Sequence, residues 1–246
     1  MSLEFLQPDA AVAHAGRTPV ARSAMEREAE AAGARFEVRD GWNVAVDYAG
    51  ADGAARTSVG WADVSHLGKV EVQAARADLV KIVAAGTNGT GLRLGTALRA
   101  GDAWWCPVTP EKLLVLGDEG RLGGRLEEAA QGAAGPVSVV DLTSAYGALT
   151  VIGPQARETF ARFTALDLRP ASTPVAGFRP GSVARTPGYI LREADDRYLL
   201  LFGWALGSYL WEQMADAAGH LGGAPIGVDA LPALAAAAPE EAATRA

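Results

Sequence analysis

The sequence predicts an α+β fold built from two related, mixed α/β lobes. Three observations point to it. Short apolar strands alternate with amphipathic helical segments along a chain of 246 residues, long enough for one substantial core or two smaller cooperating ones. A strand–corner–strand–helix unit occurs twice. WADVSHLGKVEV at 61–72 is echoed by VVDLTSAYGALTVIG at 139–153, with Asp63 and Asp141 78 positions apart and Gly68 and Gly147 79 apart. Between the two copies, GAAGP at 132–136 reads as a boundary. The lobes are therefore expected at 17–131 and 136–234, with 235–246 (AAAAPEEAATRA) as a flexible tail.

The elements follow in order. VARSAMEREAEAA at 20–32 contains strong helix formers without Pro or Gly. FEVRDGWNVAVDY at 36–48 offers two strands around a tight Asp40-Gly41 turn, and Val44, Val46 and Tyr48 alternate with Asn43, Ala45 and Asp47. KVEV at 69–72 is strand-like, and AARADLVKIVAA at 74–85 is helix-like with Leu79, Ile82 and Val83 on one face. A Gly-rich connection at 88–95 leads toward Trp104, Trp105 and Cys106, then KLLVLG at 112–117 reads as a strand. RLGGRLEEAAQ at 121–131 is a helix weakened by its paired glycines.

In the second half, ALTVI at 148–152 is followed by a helix over PQARETFARFTAL, where Pro154 suits the first helical position. RYLLLF at 197–202 reads as a central strand. ALGSYLWEQMADAAG at 205–219 is an amphipathic helix with Leu206, Leu210, Met214 and Ala217 toward the core.

Composition narrows the function classes. An apolar fraction of 49% argues for a folded globular chain, and a net charge of −7 argues against a broadly basic surface for nucleic acid or anionic membrane. Cys106 is the only cysteine, which rules out an intrachain disulfide and a thiolate-rich metal site. His14, His66 and His220 are too few for a histidine-rich centre. The first residues lack a secretory pattern, and no segment approaches 18 uninterrupted apolar residues, so a cytoplasmic protein is expected.

Several residues could carry chemistry. Asp63, Ser65 and His66 crowd one corner, but triad members usually come from separate elements, and a structural turn is the plainer reading. TNGTGLRLG at 87–95 lacks the ending of a phosphate-binding loop. Asp102, at a strand start, could orient or deprotonate an amine, or could be the polar member of a turn. Trp104 and Trp105 cannot face the same way on one strand, so one can pack in the core while the other lines a cleft suited to a flat heteroaromatic ligand. In VARTPGYILRE at 183–193, Arg185 can pair with a carboxylate and Tyr189 can stack and hydrogen-bond. Arg192 and Glu193 could instead belong to a charged surface with Asp195, Asp196 and Arg197.

Taken together, residues 18–48, WADVSHLGKVEV, ALTVIGPQA, VARTPGY and APIGVDALPAL resemble the aminomethyltransferase (T-protein) family of glycine cleavage, over roughly residues 17–234. The second half also resembles the gamma subunit of heterotetrameric sarcosine oxidase, through VVDLTSAYGALTVIGPQARETF, ALDLRP and YLLLFGWALGSYLWEQM. The resemblance implies the aminomethyltransferase folate-binding fold without the family's C-terminal β-domain, and a cleft for tetrahydrofolate between the lobes. It implies one-carbon transfer from an aminomethyl donor, or else a non-catalytic gamma-like role in a flavoprotein complex. By this resemblance Asp102 is the catalytic acid, and Trp104, Arg185, Tyr189 and Glu193 are folate contacts. The family's Arg-Thr-Gly-Tyr-Thr-Gly-Glu motif reads Arg185-Thr186-Pro187-Gly188-Tyr189-Ile190-Leu191 here, with Glu193 displaced. The implied partners are a folate-type small molecule and oxidase or glycine-cleavage proteins, with neither nucleic acid nor membrane.

Overall fold

The computed structural model describes residues 19–50, 52–87, 89–117 and 119–234. The expected tail at 235–246 and the first 18 residues lie outside them.

The chain begins with a short strand β1 (Ala21–Arg22), a one-and-a-half-turn helix α1 (Glu26–Ala31) and the hairpin β2 (Ala34–Arg39) and β3 (Trp42–Tyr48). Asp40 and Gly41 both take positive φ, 49° and 79°, which is what a two-residue hairpin turn matching the strand twist requires. β1 runs parallel to β3 and completes a small sheet. The helix expected over 20–32 is therefore shorter than its composition suggests, because residues 21–22 are taken up in pairing with β3.

Two larger sheets form the body. Sheet one has the order β11-β12-β13-β10-β4-β14, made by Phe178–Val183, Thr186–Ala194, Arg197–Gly203, Tyr146–Ile152, Gly60–Asp63 and Ala224–Pro225. Sheet two has the order β6-β7-β8-β5-β9, made by Leu98–Ala100, Ala103–Thr109, Lys112–Gly117, Gly68–Ala74 and Val137–Asp141. RYLLLF becomes β13, central in its sheet as its unbroken apolar run demands. The remaining helices are α2 (Asp52–Thr57), α3 (Arg76–Gly86), α4 (Glu119–Ala130), α5 (Ala156–Ala161) and α6 (Gly207–Gly219).

The two sheets pack face to face. Ala148, Leu191, Leu199, Leu201 and Phe178 of the first meet Cys106, Leu114 and Leu116 of the second. The far face of sheet one buries Leu149, Val151, Leu200 and Phe202 against α1, α5 and α6. The far face of sheet two buries Val70, Val72, Trp105 and Val115 against Leu79, Ile82 and Val83 of α3 and Leu122 and Leu126 of α4. Helices thus cover both outer faces of a double sheet. The paired glycines Gly123 and Gly124 do not prevent α4, because buried Leu122 and Leu126 hold it to the sheet.

Sheets and sequence halves do not coincide. β4 belongs to sheet one and β5 to sheet two, while β9 belongs to sheet two and β10 to sheet one. The echoed corners are the two crossings. They face each other and exchange equivalent hydrogen bonds. Val64 N–H donates to Ala148 O (2.9 Å) and Leu142 N–H to Lys69 O (2.7 Å). Ser65 Oγ accepts from Ala148 N–H (3.1 Å) and Thr143 Oγ1 accepts from Lys69 N–H (3.0 Å). Within each corner, the carboxylate receives the N–H two residues on: Ser65 to Asp63 (2.9 Å) and Thr143 to Asp141 (2.8 Å). The structural reading of Asp63 and Ser65 holds, and the acid–aliphatic–hydroxyl pattern is the local code for the crossing.

Candidate functional site

Most of the residues singled out from the sequence converge at one edge of the junction between the two large sheets. Strand alternation along β7 sends the neighbouring tryptophans to opposite faces. Trp105 is buried under α3, where Gly86 makes room for it: a Cβ on Gly86 would lie 2.1 Å from the indole. Trp104 faces sheet one. Its indole N–H donates to a carboxylate oxygen of Glu193 on β12 (3.0 Å), a direct link between the sheets. The other oxygen of Glu193 accepts from Arg197 Nε on β13 (2.9 Å). The Arg99 guanidinium stands over the outer face of the Trp104 ring, 5.3 Å from its centroid.

Tyr189, on the same strand as Glu193, packs against the same core cluster as Trp104. Its ring stacks on Phe178, with centroids 5.5 Å apart and planes 8° apart, and meets Tyr146 edge-on at 6.0 Å. Burial, then the hydrogen bond to Tyr189, pushes the Tyr146 hydroxyl up to about 12. Lys112 and Glu71, paired at 3.2 Å, act on the same hydroxyl. Cys106 faces this junction, fully buried. Burial and then the Glu193 charge raise its thiol well above the ordinary range, so it is a packing residue rather than a nucleophile.

The structure separates the remaining two. Asp102 sits on the exposed turn between β6 and β7, where its carboxylate accepts from Arg125 Nη1 of α4 (3.1 Å). That pairing directs it toward the α3–α4 layer, beside a cavity of about 900 Å³ lined by Gly86, Thr87, Arg99, Gly101, Trp105 and Arg125. Arg185 is exposed at the tip of the β11–β12 hairpin, in left-handed backbone (φ 63°) directly after Ala184 (φ 47°). Trp104 and Glu193 are thus joined, Tyr189 packs against the same core cluster as Trp104, and Asp102 and Arg185 stand on turns outside it. Arg192, read from sequence as surface charge, is instead buried: it donates to Thr173 O (2.9 Å) and to Asp195.

Sequence reasoning missed Tyr146, Phe178, Arg197 and Arg99 as members of this cluster. Tyr146 was visible as the aromatic that breaks the echo between the corners, and Arg197 as a basic residue four after Glu193. Phe178 and Arg99 carry no local signal. Among the described residues no group of three or more His, Cys, Asp or Glu side chains could hold a metal, and no helix is long and apolar enough to cross a membrane.

The corner beside this junction holds a second set of buried polar groups. Lys69 is fully buried, and its ammonium donates to Ser65 O (2.8 Å) and Leu67 O (2.7 Å). Burial raises the Asp63 carboxyl above its ordinary range against the opposing pull of its hydrogen bonds and of Lys69. Burial, then the Lys69 charge, lowers His66 to about 4.

No protein-family model matches the chain. Aminomethyltransferases of Mycobacterium bovis and Mycobacterium tuberculosis are each 28% identical to it over 217 residues, which is 80% of this chain and 57% of theirs. The chain therefore spans little more than half the length of the curated relatives it matches. Among solved structures, glycine cleavage system aminomethyltransferase T from Bartonella henselae superimposes with a TM-score of 0.69 at 17% identity, covering 87% of this chain and 62% of that one. A chain of the heterotetrameric sarcosine oxidase from Corynebacterium sp. U-96, solved with pyrrole 2-carboxylate, superimposes with a TM-score of 0.64 at 19% identity, covering 82% of this chain and 96% of that one. The similarity to aminomethyltransferases is one of sequence and architecture, and that to the sarcosine oxidase chain one of architecture alone.

Proposed function

We propose that this chain is a non-catalytic subunit with aminomethyltransferase architecture, in a heteromeric flavoprotein oxidase of the sarcosine-oxidase kind. The observation that carries the reading is the closed Trp104–Glu193–Arg197 chain at the sheet junction. A folate-dependent transfer needs a flat surface for the pterin, a free acceptor for its N–H groups, and a carboxylate beside the reacting amine. Both oxygens of Glu193 are engaged, Arg99 covers Trp104, and Phe178 covers Tyr189. Asp102 is turned to Arg125 on the other side of sheet two. These contacts favour a structural junction over a pterin site. The match over 96% of a sarcosine oxidase chain supports the same reading.

Tetrahydrofolate binding with one-carbon transfer is the second reading, favoured by the 28% identity to aminomethyltransferases. Calorimetric titration of the purified chain with tetrahydrofolate and its 5-formyl form separates the two. The subunit reading expects no heat and no thermal shift, together with a stoichiometric complex when the chain is co-expressed with neighbouring oxidase subunits. Saturable folate heat with methylene transfer that Asp102→Ala abolishes overturns it.

A further inference from the structure

The outer face of sheet two carries a groove that the junction does not use. It has a volume of about 670 Å³ and runs between α3, the segment 91–94, and the β7–β8 hairpin at Pro107 to Leu113. Leu79, Val83 and Leu113 form its floor, all of them buried. Its lips are apolar and exposed: Val80 is 61% accessible and Leu94 52%. Val80 is the odd residue of α3, since its neighbours Leu79, Ile82 and Val83 already supply the face that packs on the sheet. A β-branched apolar side chain on the solvent side of a helix gains nothing from the fold of this chain alone.

Charge is distributed just as unevenly. Arg76 and Arg93 line the groove, both exposed, and neither guanidinium has a side-chain partner among the described residues. Elsewhere the exposed Arg22, Arg35, Arg125 and Arg169 pair with carboxylates, while among the described residues Arg27, Arg56, Arg157, Arg162 and Arg185 do not, so what marks the groove is that its two arginines share one apolar trough. Lys81, next on the helix, is held by Asp78. In a chain of net charge −7, a trough lined by two arginines and no carboxylate is a local inversion of sign.

We infer that this groove docks an amphipathic, acidic helical segment of a partner protein, whose apolar face fills the trough between Val80 and Leu94 while carboxylates on its flanks meet Arg76 and Arg93. A helix presents side chains at i, i+3 and i+7 along one face to such a trough, and the arginines set which helices are admitted. A second copy of this chain is disfavoured, because the same face would bring Arg76 and Arg93 toward their own equivalents. The inference rests on the chemistry of the groove and holds under either reading of the sheet junction.

The test uses the full chain and a fluorescein-labelled 16-residue helical peptide with leucines on one face and glutamates on both flanks. Its counterpart carries lysines in place of the glutamates. Fluorescence anisotropy is expected to show binding of the acidic peptide, weakened at least tenfold by R76E combined with R93E and by raised salt, and at least tenfold weaker binding of the basic peptide. Val80→Asp should also abolish binding without changing Tm, since that side chain is exposed. Equal binding of both peptides, binding of neither, or indifference to the arginine reversals overturns the inference. So does a concentration-dependent dimer, seen by light scattering, that Val80→Asp dissolves, because the groove's occupant is then a second copy.

Discussion

The two corners, 63–69 and 141–148, share a backbone and differ in what they bury. Each crosses from one sheet to the other, each turns on a carboxylate that takes the N–H two residues later, and each lends a hydroxyl to the opposite corner. The first then hides Asp63 and Lys69, whereas Asp141 is exposed and Ala148 stands where the first corner has Lys69. The difference teaches that the repeated pattern specifies the crossing, while the buried charge is an addition that one copy carries. Lys69 caps carbonyls that the tight first corner leaves pointing inward and reaches across to Thr143 O (3.4 Å), while the second corner, one residue longer, winds into a short helical turn at Thr143–Ala145 and carries no charge of its own there.

That comparison can be broken. The largest effect is expected from Lys69→Met, which removes three charge-assisted hydrogen bonds and leaves buried carbonyls unpaired, costing about 3 kcal/mol. Urea unfolding with an unchanged m-value measures it, and a loss under about 1 kcal/mol would show that Lys69 merely fills space.

Next come Ser65→Ala and Thr143→Ala. Each strands one buried N–H, on Ala148 or on Lys69, at a cost of about 2 kcal/mol. Ser65 Oγ also meets Ser23 Oγ (3.3 Å) and the Asp63 carboxyl, so Ser65→Ala is expected to cost the more of the two. A larger loss for Thr143→Ala would show that the second corner holds the crossing.

The acid range gives a smaller, signed effect. Burial raises Asp63 in the folded state, so the stability it contributes is full below its unfolded value of about 3.9 and is lost as pH rises through the raised value. His66 runs the other way. Its folded pKa of about 4 lies below the ordinary 6.5, so its contribution is full above 6.5 and is lost as pH falls toward 4. Thermal unfolding of wild type minus Asp63→Asn should isolate the first slope, and wild type minus His66→Gln the second. Identical pH profiles for wild type and Asp63→Asn would mean that the carboxyl is not desolvated. The smallest effect is Asp141→Asn, expected within about 0.5 kcal/mol of wild type in the same urea series, because the exposed side chain keeps its acceptor.

Much of the fold is legible because it rests on local patterns. The Asp40-Gly41 hairpin, the buried face of α3, β13 and α6 all follow from period-two or period-3.6 apolar spacing, and the echo of the corners was visible as text. The hairpin of β11 and β12 was not read as strands, because its prolines Pro180 and Pro187 and its glycines argue against strand locally. It forms at the edge of sheet one through register with β13. At the candidate site, strand alternation correctly placed the two tryptophans on opposite faces. What Trp104 touches was beyond reach, because Glu193 is 89 positions away and no local rule couples them.

The sequence by itself determined the strongly periodic elements, the D-x-S/T corners and the likeness to aminomethyltransferases, because each resides in residues close along the chain. Only the tertiary structure decided that the corners exchange strands between sheets, that Glu193 is committed to Trp104 and Arg197, and that Asp102 faces Arg125. Those outcomes depend on which side chains meet across a packed interface, and the geometry of two sheets brought face to face selects them.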